Sequence, residues 1–289
     1  MPGRRSGNYW GFRVSWWAAN CLLLIATATL VHAFLREYSL RRYLQGFSDA
    51  VVPAISTPEQ KVEAILTWMR NEQSRSAGAM VADLSTRDPE VTLRYDQLLR
   101  ICGTATNAFL NLSRSAGLRA RRLLLLTPDH SAKHVVAEVL LNGKWIVVDP
   151  AYGIMMRDSH GQLLTREDLR DSRLLEQATS VVPGYPSSYT YERYVHVRLG
   201  RVPVVGANLR PILNRVFPKW EEKVDWSLLL ERESFFILFA SALATIFFLL
   251  LRMLLAWYAD HRLNISRFHL REHIVRAGVA FLCAPEVKD

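Results

Sequence analysis

The stretch HVVAEVLLNGKWIVVDP, residues 134–150, decides the fold. It holds two β-type runs, His134 to Leu141 and Lys144 to Pro150, separated by Asn142-Gly143. That dipeptide is the strongest short hairpin signal, because a type I′ turn needs positive φ at both central positions. A two-residue turn pairs positions whose numbers sum to 142 + 143 = 285, so Leu141 faces Lys144, Val136 faces Asp149 and His134 faces Ala151. His134, Val136, Glu138 and Leu140 then share a sheet face with Trp145, Val147, Asp149 and Ala151. Asp149 stands one diagonal step from His134, roughly 7–8 Å at the backbone, within reach of a carboxylate–imidazole hydrogen bond. A solvated histidine opening one strand and an aspartate closing the next are also ordinary features. The shared face permits a catalytic pair without proving one.

Working outward, LRARRLLLLT (118–127) reads as a strand that Pro128-Asp129 ends. Upstream, a helical pattern starts at Cys102: Ala105, Ala108, Phe109 and Leu112 line one face, and Ala116-Gly117 supplies a stop. Thr57-Pro58-Glu59-Gln60 opens an earlier helix with a threonine N-cap, proline in the first turn and glutamine closing a capping box. Val62, Ile65, Leu66 and Met69 form its apolar face. Helix, strand and hairpin in this order indicate an α+β domain with a helix packed on an antiparallel sheet. Residues 71–95 read as loop with short helical pieces, 163–171 (LLTREDLRD) as a short helix capped by Thr165, and 180–220 as irregular packing. Residues 220–233 read as a helix leading into the apolar run that follows.

Two segments do not read as parts of a water-soluble fold. Val14 to Leu35 is 22 residues without a formal charge, and Ser234 to Leu251 is 18 more, resuming after Arg252 to Ala259. At about 1.5 Å per residue each can cross roughly 30 Å of hydrocarbon. The expected organisation is a cytoplasmic N-terminus (1–13), a span (14–35), an extracytoplasmic domain (36–233, core 57–153), a second span (234–259) and a cytoplasmic tail (260–289). The first apolar run has a rival reading as a signal peptide, with Arg4, Arg5 and Arg13 before it and Val31-His32-Ala33 as a cleavage site. Its length favours an uncleaved anchor.

The charge of +9 divides as +3 over 1–13 (three Arg), +4 over 36–233 (27 basic, 23 acidic) and +2 over 252–289 (six basic, four acidic). Arg4, Arg5, Arg13, Arg252, Arg262, Arg267, Arg271 and Arg276 place both termini in the cytoplasm by the positive-inside rule, with Arg36, Arg41 and Arg42 arguing the other way. The expected location is a bacterial inner membrane with the central domain in the periplasm, and the bilayer is one expected partner. In the tail, Ile265, Phe268, Val275, Val279 and Leu282 interleave with Arg267, Arg271 and Arg276, which suits an interfacial helix or a solvated tail. No lysine–arginine stripe with interleaved aromatics appears, so nucleic acid is not an expected partner.

Chemistry concentrates at Cys102. Cys21 falls in the first span and Cys283 in the tail, so Cys102 is the lone thiol of the central segment and forms no disulfide within it. A thiol in the first turn of a helix meets free backbone N–H groups and the positive end of the dipole, which favour thiolate. The N–H groups of Cys102 and Gly103 are candidates for an oxyanion hole. His134 is the candidate base and Asp149 its orienter. A small inert cysteine at a helix start remains the plain alternative. Metal is not expected: no Cys-x-x-Cys or His-x-x-x-His pair occurs here, and His130 and His134 lack a third ligand nearby.

The order helix-start cysteine, AGLRAR, strand, then HVVAEVLLNGKWIVVDPAY resembles the transglutaminase-like superfamily of papain-type folds. In that family a cysteine opens a helix ending in a Gly-Ile/Leu-x-Ala-Arg turn, a histidine begins a strand followed by a Gly-x-Trp hairpin, and an aspartate precedes proline. The resemblance covers about residues 57–153. It implies Cys102 as nucleophile, His134 as base and Asp149 as orienter, with no cofactor. It also implies acyl transfer through a thioester on a protein, peptide or polysaccharide-linked substrate of the cell envelope. The same fold can serve as a silent binding or scaffold subunit of an envelope or export assembly. Arg100 stands where the family has glycine, and Val135 where tryptophan is common; both reshape the substrate groove.

Overall fold

The computed structural model describes residues 10–71, 88–93, 98–197, 206–218, 220–223 and 226–263. It divides into two compact units, one of residues 1–30 with 241–289 and one of residues 31–240. The larger unit holds Cys102, His134 and Asp149.

Its helices start where the sequence provides caps. Helix α1 (Trp10–Val51) enters the unit with Leu40 and Leu44, four apart and buried in the core. Helix α2 (Pro58–Arg70) has both hydrogen bonds of the capping box between Thr57 and Gln60, and its Val62, Ile65, Leu66 and Met69 are fully buried. A short α3 (Pro89–Thr92) and a 3-10 turn (Leu98–Arg100) lead to α4 (Cys102–Ser115). Leu118 N–H donates back to Ser113 O at 2.9 Å as α4 ends, and Lys61 of α2 donates to Ala116 O at 2.8 Å.

Strands β1 (Ala120–Leu126), β2 (Ala132–Leu141), β3 (Lys144–Asp149), β4 (Ile154–Met155) and β5 (Tyr194–Val195) form one antiparallel sheet in the order β4-β3-β2-β1-β5. The β2–β3 register runs from Leu141↔Lys144 to Ala137↔Val148, each pair summing to 285 as the two-residue turn requires. Asn142 (φ 49°) and Gly143 (φ 80°) both occupy the left-handed region that this turn demands.

The sheet is covered on both faces. Ala105, Phe109 and Leu112 of α4 and Ile65 and Leu66 of α2 pack on one, against Ala137, Val139, Ile146 and Val148. Leu123, Leu125, Val136 and Val147 of the other face meet Met156, Leu164, Leu169, Ala178 and Tyr191. Two-sided burial explains why β2 reads as a nearly continuous apolar run rather than an alternating one. Phe109 is fully buried at the centre of the first layer, where truncation to alanine costs about 3–5 kcal/mol. Glu138, fully buried on the second face, is held by Arg121 (Nε–Oε2 2.7 Å), whose guanidinium lies 3.9 Å from the Trp145 ring centre.

Several expectations change in detail. Residues 163–171 form a short 3-10 turn (Asp168–Arg170) behind the expected cap: Asp168 N–H donates to Thr165 Oγ1 and Asp168 Oδ2 accepts from Thr165 N, a reciprocal capping box. The helix there is α5 (Ser172–Thr179), capped by Asp171. Residues 180–220 contain β5 and α6 (Gly206–Val216). Over the stretch 220–233, α7 (Trp220–Lys223) and α8 (Trp226–Glu231) are helical as expected, and the helix is interrupted at Arg232 before α9 (Glu233–Tyr258). The tail reading at 265–282 lies outside the described residues, as does most of 71–95.

In the smaller unit, α1 and α9 are long and apolar enough to cross a membrane, with Leu24, Ile25, Phe247 and Leu250 exposed along them. A signal sequence near the N-terminus also has these properties.

Candidate active site

Cys102 is the first residue of α4, following Ile101 in extended conformation (φ −117°, ψ 110°) with no side-chain cap. The first-turn N–H groups therefore remain available to the sulfur and to anything bound there. Thr106, one turn on, donates its hydroxyl to Val135 O at 2.9 Å and is fully buried. That bond fixes the start of α4 against β2 beside His134. Gly103 keeps the approach narrow in bulk: a Cβ there would lie 3.4 Å from Arg122 Nη2.

His134 lies next to a register shift in the β1–β2 ladder, where Leu125 pairs with His134 and Leu126 with Ala132. Lys133 is the extra residue, and bulges of this kind re-aim neighbouring side chains. His134 Nε2 donates to Asp149 Oδ2 at 2.7 Å, with His134 2% and Asp149 0% exposed. Asp149 Oδ1 accepts from the N–H groups of Ala151 (3.1 Å) and Tyr152 (3.4 Å). Gly153 closes this turn at φ +65°, where a Cβ would fall 2.7 Å from Arg70 Cγ.

With Nε2 committed to Asp149, the interaction with the Cys102 thiol falls to Nδ1, which is buried without another partner. Nδ1 meets no partner at full hydrogen-bond geometry, so the resting contact is a near approach rather than an aligned bond. Contacts of this type tighten when substrate arrives. Burial pushes the Cys102 thiol up, but the His134 ring and the backbone N–H groups of Val135 and Gly103 outweigh it, leaving the thiol below its ordinary value of 9.0. Burial pushes His134 down, and Asp149 and Cys102 outweigh it, raising the ring to about 9. The two directions agree: the pair favours thiolate beside imidazolium at neutral pH.

Three further residues complete the surroundings, and none stood out in the sequence. The Tyr189 ring lies flat on the His134 ring, with centroids 4.1 Å apart and planes 5° from parallel. Tyr185 Oη donates to Asp149 Oδ2 at 3.0 Å, the oxygen that also receives His134. Tyr152 meets His134 edge-on at 5.9 Å and is raised to about 12 by burial and by Tyr189. The signal available in sequence was the tyrosine content of 185–194, but a strap crossing the sheet from 36 residues beyond Asp149 has no periodicity to reveal it.

An open cleft of about 870 Å³ lies beside Gly153, lined among others by Glu63, Arg70, Arg157 and Arg173. Cys102, His134 and Asp149 do not line it.

Residues 45–150 match the family model of the transglutaminase-like superfamily, so the chain carries a domain of that superfamily. The match includes Cys102, His134 and Asp149 and ends before Tyr152, Tyr185 and Tyr189. No curated protein and no solved structure matches the chain.

Proposed function

We propose that this transglutaminase-like domain is a membrane-anchored thiol enzyme that transfers acyl groups through Cys102. The observation carrying the reading is the use of both imidazole nitrogens: Nε2 on Asp149, and Nδ1 left for a thiol at a helix start.

In the first half-reaction the Cys102 thiolate attacks an amide or ester carbonyl carbon, forming a C–S bond. The carbonyl oxygen takes the negative charge, and the N–H groups of Cys102 and Gly103 receive it. His134 gives its Nδ1 proton to the leaving amine or alkoxide as the C–N or C–O bond breaks, leaving a thioester and neutral imidazole. In the second, water or an acceptor amine or hydroxyl loses a proton to Nδ1 while attacking the thioester carbon. Collapse then expels the thiolate beside a renewed imidazolium. Asp149 holds the ring and stabilises its cationic form throughout.

Hydrolysis is the preferred outcome, since water is always present as acceptor. The two long apolar helices support placement at a bacterial inner membrane with the domain on its outer side, facing envelope proteins, peptides or surface polysaccharide.

A cysteine-directed acylating probe tests the chemistry. Fast labelling of Cys102 that disappears in His134→Ala supports it. Labelling no faster than free cysteine, with Cys102→Ala still restoring function to a deletion strain, overturns it in favour of a silent scaffold module.

A further inference from the structure

The strap after α5 lies beyond the family match and carries side chains into the site. Its course is fixed at several points: Tyr185 N–H donates to Val182 O (3.3 Å), Tyr189 N–H donates to Pro186 O (3.0 Å), Tyr191 is 1% exposed, and Tyr194 pairs with Leu125 in the sheet. Tyr185 and Tyr189 also pack against each other edge-to-face, with centroids 5.6 Å apart and planes at 89°. They are thus placed as a unit and reach the His134–Asp149 pair from two directions.

We propose that Tyr185 and Tyr189 are positioning residues that adjust His134 in opposite senses, Tyr185 through the carboxylate that holds it and Tyr189 through its ring face. The proposal rests on His134 serving as the base of Cys102. Tyr189 presents the electron-rich face of a phenol ring to the imidazole at 4.1 Å, an arrangement that favours the cationic ring. Tyr185 donates to Asp149 Oδ2 at 3.0 Å and draws off part of the charge that would otherwise act on His134 Nε2 alone. Burial and Asp149 keep the Tyr185 hydroxyl far above its ordinary range, so it remains a donor at every working pH. The titratable groups around His134 are Cys102 from α4, Asp149 from β3, Tyr152 from the turn after β3 and Tyr189 from the strap. Tyr191 stands behind Tyr185 and Asp149, and Glu138, farther along β2, is taken by Arg121.

The consequence is a site whose acid–base balance is completed outside the superfamily core. Without Tyr185, Asp149 Oδ2 would act on His134 Nε2 alone and hold the imidazolium more firmly; without the Tyr189 face the cation would be held less firmly beside the thiolate.

The test is the pH dependence of Cys102 alkylation by iodoacetamide, in the full-length protein in detergent with Cys21 and Cys283 replaced by serine. This readout needs no substrate. Wild type is expected to show two transitions, the upper at about 9 where His134 loses its proton. Tyr189→Leu should lower the upper transition by about 0.5–1 pH unit and raise the lower one, while Tyr189→Phe moves neither. Tyr185→Phe should shift the upper transition upward by a similar amount. If Tyr189→Leu does not fold, pentafluorophenylalanine at 189 keeps the shape, reverses the ring's polarity and should reproduce the downward shift. Shifts of the same sign at the two positions, or none where wild type shows two transitions, overturn the proposal. A wild-type profile with a single ordinary thiol transition removes the thiolate–imidazolium pair itself, and with it the proposed function.

Discussion

Arg232 and Glu37 are 195 residues apart and meet in a buried ion pair, Nη1 to Oε1 2.7 Å, 6% and 3% exposed. Arg232 Nη2 also donates to Asn111 Oδ1 of α4 at 3.0 Å, and Ser234 Oγ donates to Glu37 Oε2 at 2.7 Å. The ends of α1 and α9 that enter the larger unit are therefore fastened to the helix that Cys102 opens. Arg232→Ala leaves the buried Glu37 carboxylate with only Arg41 and the Ser234 hydroxyl and is expected to cost up to about 3 kcal/mol. Glu37→Leu with Arg232→Met should recover most of that loss, as paired removal leaves no lone charge. Denaturant unfolding of the full chain in detergent measures both. Equal stability of Arg232→Ala and wild type would show that this network does not hold the elements together.

Alkylation of Cys102 should proceed well below pH 9.0, because the thiol is depressed and His134 stays protonated up to about 9. In His134→Ala the cation is gone while burial and the Val135 and Gly103 N–H groups remain, so the transition should move up and the rate at pH 7 fall by roughly an order of magnitude or more. Stopped-flow alkylation across pH 5–11 measures this. A wild-type transition at the ordinary thiol position would overturn it.

Asp149→Asn keeps acceptor geometry for the Ala151 and Tyr152 N–H groups but removes the charge facing His134. The imidazolium should lose its proton at lower pH, and acylation at pH 7 should drop roughly 10²-fold or more. Stability should change far less than activity, which separates this variant from a misfolded one. Wild-type acylation by Asp149→Asn would remove Asp149 from the mechanism.

Gly153→Ala places a Cβ at φ +65° and 2.7 Å from Arg70 Cγ. The backbone alone costs about 1–2 kcal/mol. Arg70→Ala in the same chain should relieve the contact but not the backbone strain, so rescue is expected to be partial. Thermal unfolding of the single and double variants decides; full rescue would assign the cost to the side chain alone.

How much was legible follows from which residues act locally. The capping box at Thr57 and Gln60, the turn at Asn142-Gly143 and the burial of Ala105, Phe109 and Leu112 each depend on neighbours within a few positions, and all appear in the structure. The reading of 163–171 as a short helix capped by Thr165 holds for the cap, since Thr165 and Asp168 bond reciprocally, but the helix that follows is a single 3-10 turn and the longer helix starts only at Ser172. The reading of 220–233 as a helix running into the apolar segment is interrupted at Arg232, between α8 and α9. Arg232 is held there by Glu37 and Asn111, partners 195 and 121 residues away that no local pattern reveals.

By itself the sequence determined an α+β core, a hairpin in one register, two apolar segments, and the placement of Cys102 before His134 and Asp149. Each of these follows from short-range periodicity and turn chemistry. Tertiary structure alone decided that the sheet is covered on both faces, that His134 lies beneath Tyr189, that Tyr185 shares the Asp149 oxygen, and that Arg232 reaches Glu37 and Asn111. Those partners are distant in sequence. Their meeting depends on loop courses whose closure entropy and side-chain packing leave no periodic trace in the chain.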